Sequence, residues 1–145
     1  MSYVCPDPTP EQLLLGGQLN YDAYDRCGDG CTDTEADDVL CAACLLHDEL
    51  FLRGGTADDW VRVNKNFRRD CYILANAVDD VFLLVESLLR AVAYADIVDT
   101  VSWPLWHSED RNNEITRAQG ELVMMGAKIW INACCKKRGK EPVYY

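Results

Sequence analysis

His47 and Asp48 stand side by side in an otherwise apolar run, Cys44-Leu45-Leu46-His47-Asp48-Glu49-Leu50-Phe51. Burying such groups costs free energy unless each finds a partner, so the pair needs either hydrogen bonds or a chemical task. Histidine is the usual general base near neutral pH, and an adjacent carboxylate is a natural ligand for a hard cation. The nearest partner for the ring is Asn64, set in its own apolar stripe beyond Gly54-Gly55. An amide can accept a hydrogen bond from an imidazole but cannot neutralise an imidazolium. In a serine protease the corresponding Asp-to-Asn change costs roughly 10⁴ in turnover. Two readings of His47 and Asn64 therefore stand together: a satisfied polar pair that fixes helix register, or a general base with its orienting group.

The second store of reactive groups is sulfur. The chain has eight cysteines: Cys5, Cys27, Cys31, Cys41, Cys44, Cys71, Cys134 and Cys135. An even count permits a disulfide framework, whereas a reducing compartment leaves buried thiols. Cys27-x₃-Cys31 and Cys41-x₂-Cys44 also have the makings of a four-thiolate Zn²⁺ site, with a short nine-residue gap between the pairs. A Cys-His-Asn protease is a poor fit, because Cys44 and His47 lie on one helix. His107, beside Trp106, reads as a surface histidine.

These groups have to be positioned by helices. No segment alternates with period two, so the expected class is all-α, in one domain covering residues 1–145. Residues 1–34 read as irregular and rich in Asp, Gly and Cys, apart from a short helical stretch at 11–15 stopped by Gly16-Gly17. Acidic residues at Glu35, Asp37 and Asp38 favour a helix start, and Gly54-Gly55 stops that helix after Arg53. Thr56 with Asp59 forms a capping-box variant, and the next helix runs to about residue 77. Its Trp60, Asn64, Phe67, Cys71 and Leu74 share one face. A tight turn makes the pair antiparallel, so residues whose numbers sum to about 111 meet: His47 with Asn64, Cys44 with Phe67, Phe51 with Trp60. Cys41 and Cys71 also fall at one level, so a disulfide from Cys71 to Cys41 or Cys44 is permitted. Two longer helices follow: a core helix at 79–106, and a helix at 108–138 capped by Ser108-Glu109-Asp110. The last has a seam of Ile115, Ala118, Leu122, Met125 and Ile129 and ends at Gly139. Residues 139–145 form an extended tail whose Tyr144 and Tyr145 are expected to contact another chain.

Asp48 is about 100° round the helix from His47 and faces away from Asn64, toward the preceding loop. Gly28 and Gly30 allow that loop's carbonyls to converge, and carbonyls with a carboxylate suit Ca²⁺. The loop is not an EF-hand, since Cys27 and Ala36 stand where oxygen ligands are needed. With Cys27-Gly28-Asp29-Gly30-Cys31 before it, Cys44-x-x-His47-Asp48-x-x-Phe51 resembles the phospholipase A₂ superfamily. The likeness is to short virus- and phage-encoded members with a Gly-Gly turn after the His-Asp helix, over about residues 24–75. The resemblance implies a helix-hairpin core and a histidine, His47, that deprotonates a water attacking a lipid ester. It also implies Ca²⁺ held by Asp48 and the carbonyls of Gly28 and Gly30. The family's orienting aspartate is matched by Asn64, and its usual tyrosine by Phe51. Asp70 lies about 120° off the Asn64 face and substitutes poorly.

The formal net charge is −10, which argues against a nucleic-acid footprint and suits divalent cations or a basic partner. Residues 1–6 lack a basic region followed by an apolar run, so no secretory signal is expected. Glu86, Arg90, Asp96 and Asp99 interrupt the apolar stretch 81–106, so no membrane span is expected there. Two functions are carried forward. One is a structural or binding component of a larger assembly, such as a phage virion, on a degenerate phospholipase A₂-like scaffold with other protein chains as partners. The other is an active Ca²⁺-dependent lipid acyl-ester hydrolase acting on phospholipid.

Overall fold

Ala36, Val39, Leu40, Cys41, Ala42, Ala43, Cys44, Leu45 and Leu46 place apolar side chains on every side of one helix, and such a helix must be surrounded. The computed structural model describes residues 35–106 and 114–145. In it α1 (Glu35–Arg53) is that central helix, and all nine of these residues are buried. Around it lie α2 (Ala57–Asn76), α3 (Val81–Val101) and α4 (Glu114–Lys137), with a 3₁₀ turn at Trp103–Leu105. The described residues contain no strand, so the all-α class holds.

The α1–α2 turn follows local chemistry. Gly54 and Gly55 both adopt positive φ, at 74° and 146°, where a side chain would be strained. Asp59 accepts from the Thr56 backbone N–H at 2.9 Å, and the Asp59 N–H donates to the Thr56 hydroxyl at 3.2 Å, completing the capping box. Residues equidistant from the turn then touch: His47 bonds Asn64, and Phe51 packs with Trp60. Trp106 closes the turn, its indole N–H donating to the Gly55 carbonyl at 3.1 Å and its ring meeting Phe51 edge-on at 5.0 Å.

α4 crosses α1 at Gly120, which is buried. A Cβ there would overlap the carboxylate of Glu49, itself fully buried and held by Arg53 at 3.3 Å, so the missing side chain makes room for that carboxylate between the helices. At its far end α4 satisfies another helix terminus. Lys137 donates to the Ala77 carbonyl at 2.7 Å and Arg138 to the Asn76 carbonyl at 2.6 Å, both at the exposed end of α2.

Three expectations are corrected. The α4 seam is shifted: Met125, Ile129 and Ala118 are exposed, and the buried positions are Gly120, Leu122, Val123, Met124, Ala127, Ile131, Cys134 and Cys135. The side chain of Ile115 and the cap at 108–110 lie outside the described residues, as does His107. The 79–106 helix is only partly a core helix: α3 fully buries the strip Leu83, Ser87, Ala91 and Ala95, packs Leu88, Tyr94 and Val98 beside it, and leaves the opposite side outward. Finally, Tyr144 does not need another chain to be ordered. Asn132 Oδ1 accepts from the backbone N–H groups of Val143 and Tyr144, both at 3.1 Å, and its amide N–H donates to the Tyr144 carbonyl at 2.6 Å. Val143 and Tyr144 are thereby folded back onto the chain's own helices and half-buried, while residues 139–142 and Tyr145 stay exposed.

Candidate functional site

His47 projects from α1 between two aromatic rings, with centroids 4.3 Å from Phe51 and 4.4 Å from Phe67. The ring is 7% exposed, and its Nε2 lies 2.8 Å from Asn64 Oδ1. Asn64 is itself 1% exposed. Its amide nitrogen faces the Val98 carbonyl at 3.4 Å and the Ser102 hydroxyl at 3.5 Å. A carbonyl can only accept, which turns the Asn64 NH₂ toward α3 and its oxygen toward the histidine. Nε2 is therefore the protonated ring nitrogen, and Nδ1 carries the lone pair. Among the described residues none hydrogen-bonds Nδ1.

Ser102 ends α3 and extends the network. Its hydroxyl donates to the Val98 carbonyl and accepts from the Trp60 indole N–H at 3.0 Å. The chain Trp60–Ser102–Asn64–His47 thus ties α1, α2 and the end of α3 together through buried polar groups. Desolvation pulls the His47 pKa down to about 4, against a smaller upward pull from the Asn64 hydrogen bond and the charge of Asp99. The imidazole is neutral at pH 7.

Asp70 does not serve the histidine. It is buried, one oxygen accepting from Arg69 at 3.0 and 3.1 Å and the other from the Tyr144 hydroxyl. Burial raises its carboxyl pKa, while Tyr144 and Arg69 pull it back. The same contacts push the Tyr144 phenol upward, burial first and the Asp70 charge second. The Tyr144 ring also sits under Arg69 and Lys128, 5.1 and 5.5 Å from its centroid. Asp70, Tyr144, Val63, Phe67 and His47 all border one recess of about 10 Å³, room for a single water and far below the ~300 Å³ at which ordinary small-molecule pockets begin. Replacing Tyr144 by alanine is expected to lower stability by about 2 kcal/mol, because it strips a buried carboxylate of its hydroxyl donor. Chemical unfolding checks this, and an unchanged midpoint would show the tail to be energetically idle.

Asp48 is half-buried, with one carboxylate oxygen enclosed by protein. Among the described residues no group of three acidic, histidine or cysteine side chains is set to hold a metal ion. The carbonyls of Gly28 and Gly30 lie outside the described residues, so Asp48 is the one oxygen donor of the expected Ca²⁺ set that the structure places. Cys44 and Cys71 are buried thiols, and Cys41 is disulfide-bonded to neither of them. The expected bond from Cys71 to Cys41 or Cys44 is thus not formed. With its sulfur in a disulfide, Cys41 also cannot supply a thiolate to the Cys27, Cys31, Cys41, Cys44 zinc set, of which Cys27 and Cys31 lie outside the described residues.

Sequence reasoning brought His47 and Asn64 together and missed Ser102 and the indole of Trp60. The only signal for them was a serine at a helix end preceding Trp103-Pro104, a pattern too common to single out. The chain matches no protein-family model, no curated protein and no solved structure.

Proposed function

We propose that this protein is a structural or binding component of a larger assembly, on a catalytically silent phospholipase A₂-like scaffold. The observation that carries the reading is the closed Trp60–Ser102–Asn64–His47 network. A general base works best with a pKa near the operating pH and with access to the proton it takes. His47 has a pKa of about 4 and sits between two phenyl rings, beside a recess too small for an acyl chain. Its polar atoms do what a register lock requires. A phage virion is the assembly that the resemblance suggests.

A second reading, a Ca²⁺-dependent lipid acyl-ester hydrolase, is favoured by one specific feature. Asn64 fixes the Nε2–H tautomer and leaves the Nδ1 lone pair for a water. In that reading Asp48 and the carbonyls of Gly28 and Gly30 would hold the cation, which supplies charge stabilisation to the oxyanion. The chain's own share is the oriented imidazole alone, without a carboxylate to offset the charge it gains.

The test is hydrolysis of phospholipid vesicles with and without Ca²⁺. The wild-type protein is expected to release negligible fatty acid. Under the second reading Asn64→Asp is expected to raise the rate at least tenfold, since a carboxylate stabilises the imidazolium formed during proton transfer. Under the first it leaves the rate negligible, since the recess admits no acyl chain. Robust wild-type hydrolysis that disappears in His47→Ala would overturn the assembly reading in favour of the enzyme.

A further inference from the structure

The structure leaves α3 apolar on the side turned away from the core. Phe82 is 86% exposed, Leu89 68% and Val85 51%, with Val92 and Ala93 exposed beside them. At 100° per residue these five form one stripe opposite the buried strip Leu83, Ser87, Ala91 and Ala95. It spans about 18 Å, from Phe82 to Ala93. A helix apolar on both its inner and outer sides is normally covered on both. Beyond Ala93 the same side turns polar, with Asp96, Asp99 and Thr100, so the stripe has a definite end.

We infer that this face pairs with the same face of a second copy, α3 against α3 in antiparallel orientation about a two-fold axis near residue 88. The pattern of size and charge along the helix argues for that occupant. In an antiparallel pair, residues whose numbers sum to about 175 lie opposite one another. Phe82 then falls against Val92 and Ala93, so the largest side chain meets the smallest, and Val85 falls against Leu89. Glu86 and Arg90 lie one turn apart on one flank of the stripe. In an antiparallel two-fold pair each flank meets its own counterpart, so Glu86 of one copy lies beside Arg90 of the other, twice. A parallel pair would set this flank against the opposite one, which has no complementary charge at that level. Arg90 keeps its contacts to Tyr94 at 3.3 Å and Asp37 at 3.8 Å and is still 30% exposed on that flank. The register also brings Asp96 near Asp79 of the other copy. Asp96 shares Arg68 with Asp99, at 2.7 and 2.8 Å, and Asp79 is paired with Lys137 at 3.0 Å.

One helix face of this length covers less than the ~800 Å² per partner of a standard stable interface, so the dimer is expected to be of micromolar affinity. This inference is independent of what His47 does. Sedimentation velocity of the full chain across the micromolar range tests it. The expected result is a monomer–dimer equilibrium. Leu89→Lys should raise its Kd at least 30-fold, and Glu86→Arg about tenfold, by setting like charges against Arg90 of the other copy. Leu89 is exposed, so Leu89→Lys should not move the thermal midpoint of the monomer, which separates a lost interface from a lost fold. Glu86→Arg also meets Arg90 of its own helix and should lower that midpoint slightly. A wild-type chain monomeric throughout overturns the pairing, as does a dimer indifferent to Leu89→Lys. A dimer sensitive to Leu89→Lys but indifferent to Glu86→Arg overturns the antiparallel register.

Discussion

Replacing Asn64 by leucine is expected to destabilise the protein by about 3 kcal/mol, measured by urea unfolding at pH 7. Leucine has the same branched skeleton as asparagine with bulkier ends, so none of that loss is a cavity. It comes from orphaning the Nε2–H of His47 in a site closed by Phe51 and Phe67, and from cutting the link to Val98 and Ser102. A buried donor left without an acceptor costs about 1–3 kcal/mol, whereas removing both partners with apolar groups of similar shape can be nearly neutral. The double variant His47→Phe with Asn64→Leu should therefore recover at least half of the loss, since a phenyl ring suits the aromatic slot. Single effects that simply add would show the hydrogen bond to be worth nothing, and the register-lock reading would fall with it.

That pair was legible in the sequence because everything placing it is local. Two glycines after Arg53, a capping box at Thr56 and Asp59, and two apolar stripes of helical period fix which residues lie level across the turn. The equal spacing of His47 and Asn64 from the midpoint between Gly55 and Thr56 then becomes a 2.8 Å contact. The third partner, Ser102, arrives from 38 residues further on. Its place depends on how the end of α3 packs against α2, and no period in the sequence encodes that.

The two later helices were misjudged for a shared reason. α4 carries two competing apolar lines on nearly opposite faces, about 160° apart at 100° per residue, and periodicity alone cannot choose between them. The choice is made by close approach. Gly120 makes room for the buried Glu49 carboxylate of α1 on the side of α4 that carries Val123, Ala127 and Ile131, and Met125 and Ile129 lie outside. α3 is apolar over much of its surface, so its sequence calls for burial without saying by what, and the chain's own core takes Leu83, Ser87, Ala91 and Ala95 with part of Leu88, Tyr94 and Val98. The tail's anchor within the chain, Asn132, was not legible because it looks like any helical amide until the backbone of Val143 and Tyr144 folds onto it.

The second large effect is on acid stability. The His47 pKa is about 4 in the folded protein against 6.5 in an exposed histidine. Between those values the unfolded chain binds a proton that the folded chain refuses, so acid favours unfolding. The stabilisation that comes from keeping His47 neutral is fully present above pH 6.5, falls as the pH drops, and is gone below about 4. At 1.36 kcal/mol per pKa unit the loss is roughly 3 kcal/mol. Asp70 opposes it, because a carboxyl whose pKa is raised by burial holds its proton longer in the folded state and gains stability as the pH falls. The wild-type profile sums the two, so the clean measurement is a difference: unfolding free energy against pH for wild type minus His47→Phe, which leaves Asp70 and Tyr144 in place. That difference should fall by roughly 3 kcal/mol from pH 7 to pH 4. In an Asn64→Asp background the contacting carboxylate stabilises the imidazolium, so the His47 pKa rises and the same difference should shrink or change sign. A flat difference curve in the wild-type background would mean that the ring reaches solvent and is protonated as readily folded as unfolded. His47 would then be accessible, and the case for a silent site would give way to the case for a base.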